Sequence, residues 1–151
     1  MKTNSLFIAF FIVIGSYSAL FGQTNYAIDL DGNGDYVETS LTPDVNTFGV
    51  WTVECWVKGA AAPTSGTGRF DGPIYSDKTF QIIWDHNQQD YAGSASFYNP
   101  GRQDWPVASF GTLEGGRWYH LAASSDGTNL KVYVNGILVG TNTSAGACAS
   151  S

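Results

Sequence analysis

The sequence predicts an all-β chain, an antiparallel sandwich of two sheets, and three observations carry that prediction. Period-two alternation recurs in runs rich in β-branched and aromatic residues, most clearly "VWTVECWVKG". Turn dipeptides such as Asp126-Gly127 and Asn135-Gly136 separate these runs. No helical period longer than a turn is legible after residue 23.

Residues 1–23 stand apart. Lys2 precedes an unbroken apolar run from Leu6 to Ile14, and small and polar residues follow. This is the layout of a secretory signal peptide, and the run is too short to span a membrane. Cleavage is expected between Ala19 and Thr24, and no second apolar run follows. The remainder, 24–151, is the size of one domain. The formal net charge is −6 over 151 residues and falls to −7 when Lys2 leaves with the leader. Nucleic acid and anionic membranes are therefore poor partners. An extracellular glycan or protein suits a secreted domain of this composition better.

The elements follow in order. "NYAIDL" and "YVETS" read as a first hairpin, with Tyr26, Ile28 and Leu30 on one face and Gly32, Asn33 and Gly34 in the turn. The turn also resembles a calcium loop: Asp29, Asp31, Asn33 and Gly34 occupy positions one, three, five and six. Position twelve is Ser40, which cannot chelate bidentately, and the flanks have period two, so the hairpin reading is preferred. In "VWTVECWVKG" the residues Trp51, Val53, Cys55 and Val57 share one face, and Thr52, Glu54, Trp56 and Lys58 share the other. "AAAPTSGTGRFDG" is a loop, "PIYSD" and "FQIIWDH" are short strands, and "YAGSASFYN" is another. "PGRQDWP" is a turn and "VASFG" a short edge strand. Three runs, Arg117–Ser124, Leu130–Val134 and Ile137–Thr141, then form a meander.

Catalytic constellations are not found. The glutamates are Glu38, Glu54 and Glu114, and no two form an acid–nucleophile motif on one strand. The two histidines, His86 and His120, have no serine elbow to serve and no zinc-type spacing. The chain is therefore expected not to be an enzyme. Trp84, Tyr98 and Trp105 fall at strand ends or in loops, where aromatic faces stack on sugar rings, although such residues also serve as core or rim. Cys55 and Cys148 are the only cysteines, and a secreted compartment permits a disulfide between them. Their separation in space is not readable from the sequence.

Three segments together, "AIDLDGNGDYVET", "TVECWVKG" and "GGRWYHLAASSDGTNLKVYVNGILVG", resemble the laminin-G-like jelly-roll domain. That family has the concanavalin A-like lectin/glucanase sandwich fold and is similar to pentraxins. The resemblance runs from about Tyr26 to Thr143. It implies a two-sheet jelly roll that continues past the Val-Asn-Gly hairpin with a closing strand. Here "SAGACASS" follows instead, so the domain is expected to be incomplete at its C-terminus. It also implies a calcium ion near the first hairpin, with Asp31 and Asp35 at the matching positions; without the closing acidic residue the site is expected to be weak. The expected function is a secreted or cell-surface module that binds carbohydrate or protein. An adhesion or structural domain of a larger surface protein is the alternative, and a fragment of a glycan hydrolase or lyase comes third.

Overall fold

Period-two apolar residues need a second layer to bury their shared face, and here two sheets supply it to each other. The computed structural model describes residues 27–30, 35–40, 50–66, 72–75, 80–88, 91–99 and 101–146. The chain divides into two units, Met1–Tyr36 and Val37–Ser151. All described strands lie in the second. They are β1 (Val50–Val57), β2 (Ile74–Tyr75), β3 (Phe80–Ile83), β4 (Ser94–Phe97), β5 (Val107–Ser109), β6 (Tyr119–Asp126), β7 (Leu130–Val134) and β8 (Ile137–Asn142). One sheet has the order β1-β6-β7-β8 and the other β2-β3-β4-β5, with every pairing antiparallel.

The alternation in β1 is realised as read. Val50, Thr52, Glu54 and Trp56 are exposed, while Trp51, Val53, Cys55 and Val57 turn toward the core. Beside them in the same sheet the meander contributes Leu121, Ala123, Leu130 and Val132, and from the facing sheet β3 and β4 contribute Ile82, Ala95 and Phe97. Most of these side chains are completely buried, and each large aliphatic among them adds roughly 1.5–3 kcal/mol of transfer free energy. Trp51 ties the layers together, stacked on Phe80 at 5.5 Å and edge-on to Phe97 at 5.8 Å.

The Asn135-Gly136 turn has φ values of 52° and 79°, both left-handed, as a two-residue type I′ hairpin requires. Beyond it, β8 carries a bulge opposite Val132/Tyr133 and then passes close to β5. A Cβ on Gly140 would lie 2.4 Å from the Ser109 carbonyl oxygen. The Asn142 amide donates to the Val107 carbonyl at 2.9 Å. These contacts join the last strand of one sheet to the edge of the other.

Two expectations need correction. The described parts of the segments read as hairpin strands, Ala27–Leu30 and Tyr36–Ser40, carry no strand. Ile28, Leu30, Tyr36 and Val37 are 50–77% exposed. Alternation makes a segment competent as a strand, but a ladder also needs a partner edge and a buried face. The turn itself, residues 31–34, lies outside the described residues. In "YAGSASFYN" the strand begins only at Ser94, because Gly93 has φ 63° and closes a turn.

Candidate functional site

Phe97 points into the core, so its neighbours Ser96 and Tyr98 point to the outer face of the smaller sheet. β4 pairs with β5 through Ser94↔Ser109 and Ser96↔Val107. The bridge Asn99↔Asp104 continues the same antiparallel register. Tyr98 therefore stands directly opposite Trp105, and their rings lie 5.4 Å apart at 53°. Both are half-buried, so each keeps part of its ring in solvent. Behind them on the same face, the buried Gln81 amide donates to the buried Ser96 hydroxyl at 2.6 Å.

The hairpin tip that carries this pair is firmly held. The Asn99 N–H donates to the Asp104 carbonyl at 2.8 Å, and the Asn99 side-chain oxygen accepts from the Arg102 N–H at 3.2 Å. The Arg102 guanidinium pairs with Asp104 at 2.8 Å and donates to the Ser144 carbonyl. The Asn99 amide, only 2% exposed, donates to the Ala145 carbonyl at 2.9 Å. An aromatic pair on so constrained a hairpin loses little freedom when a ligand settles on it.

Trp84 is placed differently. It is 7% exposed within the core, its indole N–H donates to the Ala61 carbonyl at 3.0 Å, and its ring lies 6.4 Å from Tyr119. Its faces are therefore taken up by protein, and its position at a strand end reflects the closing of the core by the 59–61 loop. Of the three aromatic candidates, the structure brings Tyr98 and Trp105 together and separates Trp84.

The metal candidates are Asp31, which lies outside the described residues, and Asp35, which is exposed. Among the described residues, no three His, Cys, Asp or Glu side chains converge as a metal site. Cys55 is a free thiol, and its candidate partner Cys148 lies outside the described residues. Burial, with a smaller contribution from the Glu54 carboxylate, pushes the Cys55 thiol up to about 11. It is therefore a protonated, weakly reactive group at neutral pH.

Sequence reading missed the outer face of the larger sheet. Trp56 is 67% exposed there, its ring 5.4 Å from the His120 imidazole, and His120 lies 3.4 Å from the Glu54 carboxylate. Trp118, just before β6, is 50% exposed. The alternation in β1 had already placed Trp56 outward beside Glu54 and Lys58, which was the available signal.

No helix among the described residues is long and apolar enough to cross a membrane. No curated protein and no solved structure gives a significant match to the chain. A family model of the laminin-G type, described as the concanavalin A-like lectin/glucanases superfamily, matches residues 31–151. That span takes in all eight described strands, and their arrangement in two antiparallel sheets agrees with it. The chain belongs to the concanavalin A-like lectin/glucanases superfamily.

Proposed function

We propose that this protein is a secreted or cell-surface module that binds an extracellular glycan through Tyr98 and Trp105 and performs no catalysis of its own. The observation that carries the reading is the cross-strand placement of these two rings, partly open to solvent on a hairpin tied down by Asn99 and Arg102. A pyranose presents C–H groups on one face and hydroxyls around its rim. An indole face takes the first, and the Tyr98 hydroxyl can hydrogen-bond the second. The carboxylates support a binding role over hydrolysis. Glu54 lies beside His120 on the larger sheet, while Glu114 pairs with Arg117 in the loop before β6. No acid–nucleophile pair flanks Tyr98 and Trp105 among the described residues.

The test is a glycan array probed with the full chain, followed by calorimetric titration of the best ligand. Replacing Trp105 with Ala is expected to weaken binding by roughly ten- to thirtyfold, in keeping with loss of an aromatic anchor. Glycan binding that persists unchanged in the Tyr98→Ala, Trp105→Ala double variant would place the ligand elsewhere and sink this reading.

A further inference from the structure

Among the described residues from 50 onward, every exposed large apolar side chain belongs to the larger sheet or directly abuts it. They are Val50, Trp56, Trp118, Ile137, Leu138 and Val139, each 46–67% exposed; the register sets Val50, Trp56, Trp118 and Leu138 on the outer face, whereas Ile137 pairs with the core-packed Val134 beside the turn. Patches of this kind mark contact surfaces. The outward residues of β1 and its immediate continuation read Glu54, Trp56, Lys58, spaced two apart on one face. His120 crosses from the neighbouring strand, opposite Trp56, and its ring packs on the indole. Further along the face, Asp126 and Lys131 pair with each other at 2.9 Å. Glu54 and Asp126 thus balance Lys58 and Lys131, and among the described residues these four charges of the face sum to zero, in a chain whose formal net charge is −6.

The triplet has a symmetry of its own. A two-fold axis lying against Trp56, parallel to the sheet and perpendicular to β1, would lay one β1 antiparallel over another and set each Glu54 over the other copy's Lys58. Each carboxylate then faces the other copy's ammonium, and the two indoles meet at the centre. This is the self-complementarity that an isologous interface demands. We infer that the outer face of the β1-β6-β7-β8 sheet is a dimer interface for a second copy of this chain, centred on Trp56 and registered by Glu54 against Lys58. Sheet faces pack in this aligned manner when their apolar residues interdigitate. The neutral charge lets two acidic chains approach here. Tyr98 and Trp105 occupy the outer face of the other sheet, so pairing leaves both hairpins outward and makes the dimer bivalent.

The experiment is sedimentation equilibrium of the purified full chain, with circular dichroism to verify folding of each variant. At about 100 μM the wild type is expected to be largely dimeric if its Kd is near 10 μM, a modest affinity for an interface of ordinary size. Trp56→Glu is expected to weaken pairing by roughly thirtyfold or more, the loss of a central aromatic anchor. Glu54→Lys and Lys58→Glu are each expected to weaken it about tenfold, and the double variant to restore it, because the swap preserves the two-fold complementarity. Trp118→Lys serves as a second surface variant should Trp56→Glu fold poorly. A wild type that stays monomeric at about 100 μM overturns the inference. So does a dimer indifferent to Trp56→Glu, or one that the charge swap fails to restore. A monomer that loses glycan affinity on Trp56→Glu gives this face to a sugar and likewise overturns it.

Discussion

Substituting Ala for Gly140 tests how closely the two sheets are joined. The added Cβ would sit 2.4 Å from the Ser109 carbonyl oxygen and 2.9 Å from a Val132 methyl carbon. An ordinary carbon–oxygen contact is about 3.4 Å, so β8 and β5 must separate by about 1 Å, and Ser109 meets the intruder with backbone that cannot rotate away. Overpacking of this kind costs about 1–3 kcal/mol. The same displacement stretches the Asn142 to Val107 hydrogen bond, now 2.9 Å, and losing it adds about 1 kcal/mol. The total is about 2–4 kcal/mol, which for a domain of this size lowers Tm by roughly 8–16 °C. Gly136→Ala is the control. Nothing lies within 4 Å of its Cβ position, but its φ of 79° is left-handed, so only the backbone penalty of about 1–2 kcal/mol applies. Urea denaturation of both variants and the wild type provides the measurement. A Gly140→Ala variant within about 0.5 kcal/mol of wild type would refute the close approach of β8 to β5.

Further outcomes are expected from other sites. Asn99→Ala removes the amide that holds Ala145 and should lower stability by about 1–3 kcal/mol in the same urea assay; an unchanged midpoint would show that the hairpin tip is not anchored there. The Cys55 thiol, pushed up to about 11, should react with a thiol reagent far more slowly at pH 8 in the native state than in urea. Because its native pKa lies above the unfolded value near 8.5, its contribution to stability is complete below about pH 8.5 and fades as pH rises toward 11. A native reaction as fast as the denatured one would contradict the buried thiol. Hydrogen bonds from Lys131, Asn129 and Thr128 hold the Asp126 carboxyl well below the usual carboxylate range, so its contribution is present above about pH 4 and lost only as pH falls further. Asp126→Asn should therefore narrow the stability gap to wild type in acid; a gap that is constant with pH would remove the linkage. If calcium binds through Asp31 and Asp35, the Tm should rise with added calcium relative to chelator, and the rise should vanish in the Asp31→Asn, Asp35→Asn double variant.

Sequence alone determined the class of fold, the direction of every side chain in β1 and the I′ turn at Asn135-Gly136. These rest on local physics. Period two divides a strand into faces, and two left-handed residues in succession admit few alternatives to Asn-Gly. Tertiary structure decided the rest. Trp84 and Trp105 look alike in the sequence, each beside a strand end, yet one fills the core against Ala61 and Tyr119 while the other faces Tyr98 across a hairpin. Their difference lies in register and in which loop folds over which strand, and neither is encoded within a few residues of the tryptophan. Residues 27–30 and 36–40 alternate as well as many true strands but form none, because a strand's hydrogen bonds belong to its neighbour as much as to itself. The Glu54–Trp56–Lys58 triplet was legible as an outward row. That it lies on a face with exposed Trp118 and Leu138 depended on β6 and β8, more than sixty residues away in the chain.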